Sequence, residues 1–224
     1  MINKVYIWED KAMKNKRIAA LLISVGLIAG TGLGLTIAYM TAKTGELKNQ
    51  FTYSDGIKMT LDEDKVNPES HEIVEENTII AGQDEGNQYL NVVSNEVLPK
   101  DPTVTIGKDS PDCYVFVSVK NPSKDLLSLN ISKQWVQIGI KDDTTYYAYY
   151  ENGDPKVIER NKTEDIRINE PVFTTVTVGD VSTNPKPNLN DIVVKAAAVQ
   201  AKFGKEYKFE LAKDEALEML GYKQ

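Results

Sequence analysis

From residue 51 to the C-terminus, short apolar runs recur at roughly ten-residue spacing, each cut off by Pro, Gly, Asn or Asp. Ile57, Met59 and Leu61 alternate with polar neighbours, as do Leu127, Leu129 and Ile131, then Val136, Ile138 and Ile140, then Ile166 and Ile168. Alternation with period two is the mark of a half-buried strand. Residues 113–121, CYVFVSVKN, are apolar on both faces, which predicts a central strand between two layers. Residues 144–150 are β-branched and aromatic, a good strand composition, and residues 103–106, 172–178 and 192–201 read as further strands. Asn152-Gly153-Asp154-Pro155 is the clearest turn. Residues 212–220 have helical composition, with Gly221 placed as a C-cap. Residues 62–88 are acidic and turn-rich and read as loop, with a short strand near residues 73–80. About seven to nine strands so spaced predict an all-β chain: a jelly-roll-like antiparallel β-sandwich with a short C-terminal helix.

The N-terminal part has a different character. Residues 18–42 carry no charge, and the apolar run inside them is long enough to enter a bilayer. Lys4, Lys11, Lys14, Lys16 and Arg17 precede it against only Glu9 and Asp10, a balance of +3 in a chain of net charge −7. The body is therefore strongly acidic beneath a basic head, the layout of an export signal. Thr36-Ile37-Ala38 puts small residues at the −3 and −1 positions of a cut before Tyr39. Two readings fit the run: a cleaved signal, or an uncleaved anchor helix spanning residues 18–40. Gly26, Gly30, Gly32 and Gly34 weaken the helix near its exit and favour cleavage. Residues 1–38 are thus read as a signal peptide and residues 39–224 as one secreted domain, held at the membrane if the signal stays attached.

Composition excludes several chemistries. An acidic body argues against nucleic acid. One Cys, Cys113, rules out an intramolecular disulfide and a Cys-based zinc site, and one His, His71, rules out any site needing two imidazoles. His71-Glu72-Ile73-Val74-Glu75 begins like a helical zinc-protease motif but carries Glu where the second His must stand, so a solvated loop His is the better reading. The acidic clusters at 62–64, 75–76, 84–85 and 142–143 lack the spaced-ligand pattern of a calcium loop and read as solvated surface. Cys113 opens the most apolar strand and reads as a buried structural thiol. Tyr146, Tyr147, Tyr149 and Tyr150 read as ordinary strand packing, with a carbohydrate platform as the sharper alternative. No nucleophile elbow or phosphate-cradling loop is present. The residues support no enzyme, cofactor or metal.

Taken in order, these segments resemble one known group. GTGLGLTIAYMTAKTGELKNQFTYSDGIKMTLDE, with Ala38-Tyr39 at the junction and residues 49–57 as the first strand, resembles the start of bacterial exported proteins with a SipW-type signal, the TasA/camelysin group. Residues 98–104, LPKDPTV, and the following KDSPDCYVFVSVKN resemble two further family segments, as do residues 150–178 and the ending at residues 192–218. The chain departs from the family in its turn, which is Asp55-Gly56. The resemblance implies a jelly roll, export from a Gram-positive cell and cutting by a SipW-type signal peptidase. It also implies biofilm-type fibres in which the freed N-terminal segment completes the sheet of the next subunit. Phe51, Tyr53, Ile57, Met59 and Leu61 would then be the donor-strand anchors, with main-chain pairing giving affinity and alternate side chains giving register.

Three functions compete at this point. The first is an exported surface or extracellular-matrix structural protein that self-associates into fibres. The second is a monomeric secreted binding module for glycan or cell wall. The third, a camelysin-like metallopeptidase, has least support, because one His leaves little to hold zinc.

Overall fold

The computed structural model describes residues 41–43, 56–84, 86–180 and 189–222. The basic head, the apolar run, the Ala38-Tyr39 junction, Phe51 and Tyr53 all lie outside these residues. In chain order the first strands are β1 (Thr41–Lys43), β2 (Met59–Val66), β3 (Ile73–Ile80), β4 (Val97–Pro99), β5 (Thr103–Ile106), β6 (Cys113–Lys120), β7 (Leu127–Ile131) and β8 (Trp135–Lys141). They are followed by β9 (Thr144–Glu151), β10 (Asp154–Pro155), β11 (Ile166–Arg167), β12 (Phe173–Val178), β13 (Val193–Gln200), β14 (Lys202–Phe203), β15 (Glu206–Tyr207) and helix α1 (Phe209–Met219). The strands beyond the expected number are mostly pieces of two or three residues.

Every pairing among these strands is antiparallel. The largest sheet runs β1-β13-β6-β9-β10, with β8 also on β9. A second runs β11-β5-β2-β3, a third β4-β12-β7, and β14-β15 is a separate hairpin. As its composition demands, β6 is central, flanked by β13 and β9 and buried from Cys113 to Val119. Alternation divides its side chains between two cores. Val115, Val117 and Val119 meet Leu61, Val104, Ile106, Leu98, Val176 and Val178 of the other sheets. Tyr114 and Phe116 face the opposite way, toward α1.

Helix α1 presents Ala212, Ala216 and Leu220, each four residues apart, to that outer face. The two alanines let the helix backbone approach the sheet, and Phe209 fills the remaining space against Tyr114, Phe116 and Tyr150. The helix ends as its sequence predicts. Gly221 takes φ +92, its N–H donates to the Glu218 carbonyl and the Tyr222 N–H donates to Leu217, closing a Schellman motif.

Two local readings need correction. The acidic stretch from residue 62 is not simply loop: β2 continues to Val66 and pairs with an eight-residue β3. In β8 the alternating Val136, Ile138 and Ile140 do not form a buried face. Val136 is 38% and Ile140 55% exposed, while Trp135 is buried and its Nε1 donates to the Glu170 carbonyl at 2.9 Å. The cause is position: β8 pairs only with β9 among the described residues, its ladder shifts register between Gln137 and Gly139, and Tyr222 covers only its middle.

Candidate functional site

One sheet edge that takes up a strand from the N-terminal part of the chain is the outer side of β13. Along its inner side β13 pairs with β6 over all eight residues. On its outer side it pairs with β1 in the register Thr41↔Val199, Ala42↔Ala198, Lys43↔Ala197. A short segment from the N-terminal part of the chain therefore adds a strand along three residues of the outer side of β13. Open edges are templates for strand addition because their N–H and C=O groups need partners.

Of the expected donor-strand anchors, those among the described residues, Ile57, Met59 and Leu61, sit elsewhere. Ile57 and Leu61 are buried in the inter-sheet core and Met59 packs against it. Met59 and Leu61 belong to β2, which has β5 on one side and β3 on the other. Within one chain these three side chains serve the chain's own core. The tyrosine run also packs inward. Tyr147 and Tyr149 face the inter-sheet core and Tyr146 and Tyr150 face α1, with Tyr146 only 3% and Tyr149 only 8% exposed. That burial leaves little ring surface for a sugar.

An open cleft of about 760 Å³ lies where β2, β4, β12 and the start of β13 converge. Its walls are mainly aliphatic, among them Leu61, Leu98, Val176 and Val178, but Glu63, Asn87 and Lys100 project into the same space. Glu63 follows Leu61 by two residues on β2, so alternation points it inward with the core residues. A carboxylate facing inward must be paired. Lys100 Nζ lies 2.5 Å from Glu63 Oε2, with side chains 13% and 10% exposed respectively. The Asn87 amide Nδ2 donates to the other oxygen, Oε1, at 3.0 Å. The same amide donates to the Asp64 carbonyl at 2.6 Å, and its Oδ1 accepts from the Val66 N–H at 2.9 Å.

Around this trio Asp62 and Asp64, which read as solvated surface, are hydrogen-bonded, while Glu75 and Glu76 are exposed as expected. Asp62 accepts from Arg167 at 2.5 Å, and burial still holds its carboxyl above the usual range against that cation. Asp64 Oδ1 accepts from the Asn77 N–H, and Asp101 Oδ1 from the Asp64 N–H. Burial raises Asp101 as well. The Tyr89 hydroxyl donates to the Pro99 carbonyl at 2.5 Å, and burial together with the Glu63 and Asp101 charges holds it well above an ordinary phenol. Asp142 occupies the β8–β9 hairpin turn at φ +55. The spacing of Leu61 and Glu63 was the available signal for an inward carboxylate; no local signal pointed to Lys100 or Asn87.

His71 is not solvated. Its side chain is 9% exposed, with Nδ1 2.7 Å from Glu96 Oε1 and Nε2 2.7 Å from the Leu90 carbonyl. It stands in a turn at φ +56, ahead of a strand and not on a helix. Cys113 is fully buried, and burial, with Asp112 beside it, pushes its thiol up to about 12. Among the described residues no group of three or more His, Cys, Asp or Glu could hold a metal ion. Among the same residues no helix is long and apolar enough to cross a membrane. No protein family, curated protein or solved structure matches the chain.

Proposed function

We propose that this chain is an exported structural protein of the cell surface or extracellular matrix, of the TasA/camelysin kind, without enzymatic activity. In this reading a SipW-type signal peptidase cuts between Ala38 and Tyr39, and the strands fold as a jelly-roll sandwich. The freed N-terminal segment pairs with the next subunit to build a fibre. The observation that carries the reading is the pairing of Thr41–Lys43 with the outer edge of β13. In one chain part of that edge is paired by the chain's own segment; between chains the same main-chain bonds would link subunits. The piece best suited to exchange lies in residues 39–50. Donating β2 would require breaking its ladders to both β3 and β5 and withdrawing Leu61 from the core.

The test is electron microscopy of the mature chain, residues 39–224, over a range of concentration and pH, beside a twin lacking residues 39–50. Fibres from the first and folded monomers from the second are expected. Folded monomers from both would sink the strand-exchange reading. They would favour a secreted binding module, for which the cleft beside β2 and β12 is the supporting feature. N-terminal sequencing of the exported protein checks the cut before Tyr39.

A further inference from the structure

Glu63 joins two groups that can react with each other. One carboxylate oxygen lies 2.5 Å from the Lys100 amine, and the other accepts from the Asn87 carboxamide at 3.0 Å. An amine and a primary amide held by one acid have the composition needed for amide transfer, with ammonia as leaving group. We propose that Lys100 and Asn87 form an intramolecular isopeptide bond, with Glu63 as the proton carrier.

The step balances without any co-reactant. Lys100 Nζ passes a proton to Glu63 and attacks Cγ of Asn87. The carbonyl π pair moves to Oδ1, giving a tetrahedral intermediate. Glu63 then returns a proton to Nδ2, the Cγ–Nδ2 bond breaks, the carbonyl re-forms and ammonia departs, taking up the second ammonium proton of Lys100. The product is a secondary amide between Nζ and Cγ.

Three features of the site favour this course. The Val66 N–H donates to Asn87 Oδ1 at 2.9 Å, at the atom where negative charge develops during attack. The Nδ2 contact with the Asp64 carbonyl at 2.6 Å fixes the plane of the amide, so that Glu63 meets the leaving nitrogen. The Glu63 and Lys100 side chains are only 10% and 13% exposed, so water competes little for the proton they share. The bond would fasten the segment before β4 to the end of β4, closing the loop that forms one wall of the cleft. With a single, buried Cys, the chain has no intramolecular disulfide to serve that purpose. The proposal does not depend on export or fibre formation.

Intact mass spectrometry of the purified full chain, followed by tandem fragmentation after proteolysis, reads the result directly. The expected mass is lower than the sequence mass by one ammonia, with a branched peptide joining the segments that hold Asn87 and Lys100. Glu63→Gln and Lys100→Arg should restore the full mass. Circular dichroism of both variants establishes that they fold, and the measurement on the unaltered chain stands whether or not they do. A folded, unaltered chain with full mass and separate peptides would overturn the proposal. So would an ammonia loss confined to a single linear peptide, which is cyclisation of Asn87 on its own backbone.

Discussion

His71 Nδ1 lies 2.7 Å from Glu96 Oε1 while its Nε2 lies 2.7 Å from the carbonyl oxygen of Leu90. Both partners are acceptors, so only the imidazolium satisfies both contacts. The ring thereby pins the turn before β3 to the segment before β4, and the Leu90 N–H returns a bond to the Pro68 carbonyl.

This geometry sets a pH dependence. The Glu96 hydrogen bond holds His71 above its usual 6.5, so its contribution is full below that value and is lost as pH rises through the folded pKa. Glu96 is held below its usual 4.5, first by the Val93 N–H and then by His71, so its contribution is present above 4.5 and is lost as pH falls. The latch should therefore stabilise most between the two values. In melting curves taken across pH, His71→Asn, which tolerates the left-handed backbone, should flatten the decline above pH 6.5. An unchanged decline would assign it to other groups.

Cys113 should be chemically silent in the folded protein. Its thiol is fully buried and pushed up to about 12, so little thiolate exists at neutral pH and reagents cannot reach it. Alkylation followed by mass should show no adduct until denaturant is added, then one adduct per chain. Rapid labelling of the native protein would contradict the packing of β6.

The seam between α1 and the sheet should tolerate no extra volume. Ala212 and Ala216 are fully buried against it. Ala216→Leu should cost about 1–3 kcal/mol in urea unfolding. Leu211, 52% exposed on the same helix, should change stability by less than about 0.5 kcal/mol when made Ala.

The β9–β10 hairpin depends on backbone conformation and not on space. Asn152 and Gly153 form its two-residue loop with φ +54 and +90, as a type I′ turn requires. A Cβ at Gly153 would meet nothing within 4 Å. Gly153→Ala should still cost about 1–2 kcal/mol in chemical denaturation, from the left-handed backbone alone. A neutral result would mean the turn relaxes to another type.

Much of the fold was legible because its causes are local. The apolar run at 113–119 could only be a strand covered on both faces, and it is. Asn152-Gly153 and Gly221 announced their turns through the φ values they permit. The tyrosines of β9, read as ordinary strand packing, do pack into the two cores. Alternation failed at β8, where an edge position and a register shift left Val136 and Ile140 uncovered. The acidic run at 62–64 was misread for a related reason. Its composition says solvent, but β2 turns Glu63 inward behind Leu61.

By itself, then, the sequence determined most of the extended segments, where they turn, where the one described helix stops, and that no disulfide can staple them. These follow from side-chain alternation, backbone freedom and residue counts, which are properties of neighbours along the chain. Only the tertiary structure decided that Glu63 meets Lys100 across 37 positions, that His71 meets Glu96 across 25, and that Thr41–Lys43 pairs with the outer side of β13. Those pairings depend on strand order and register between distant segments, and no local pattern encodes which cation or amide will arrive opposite a given carboxylate.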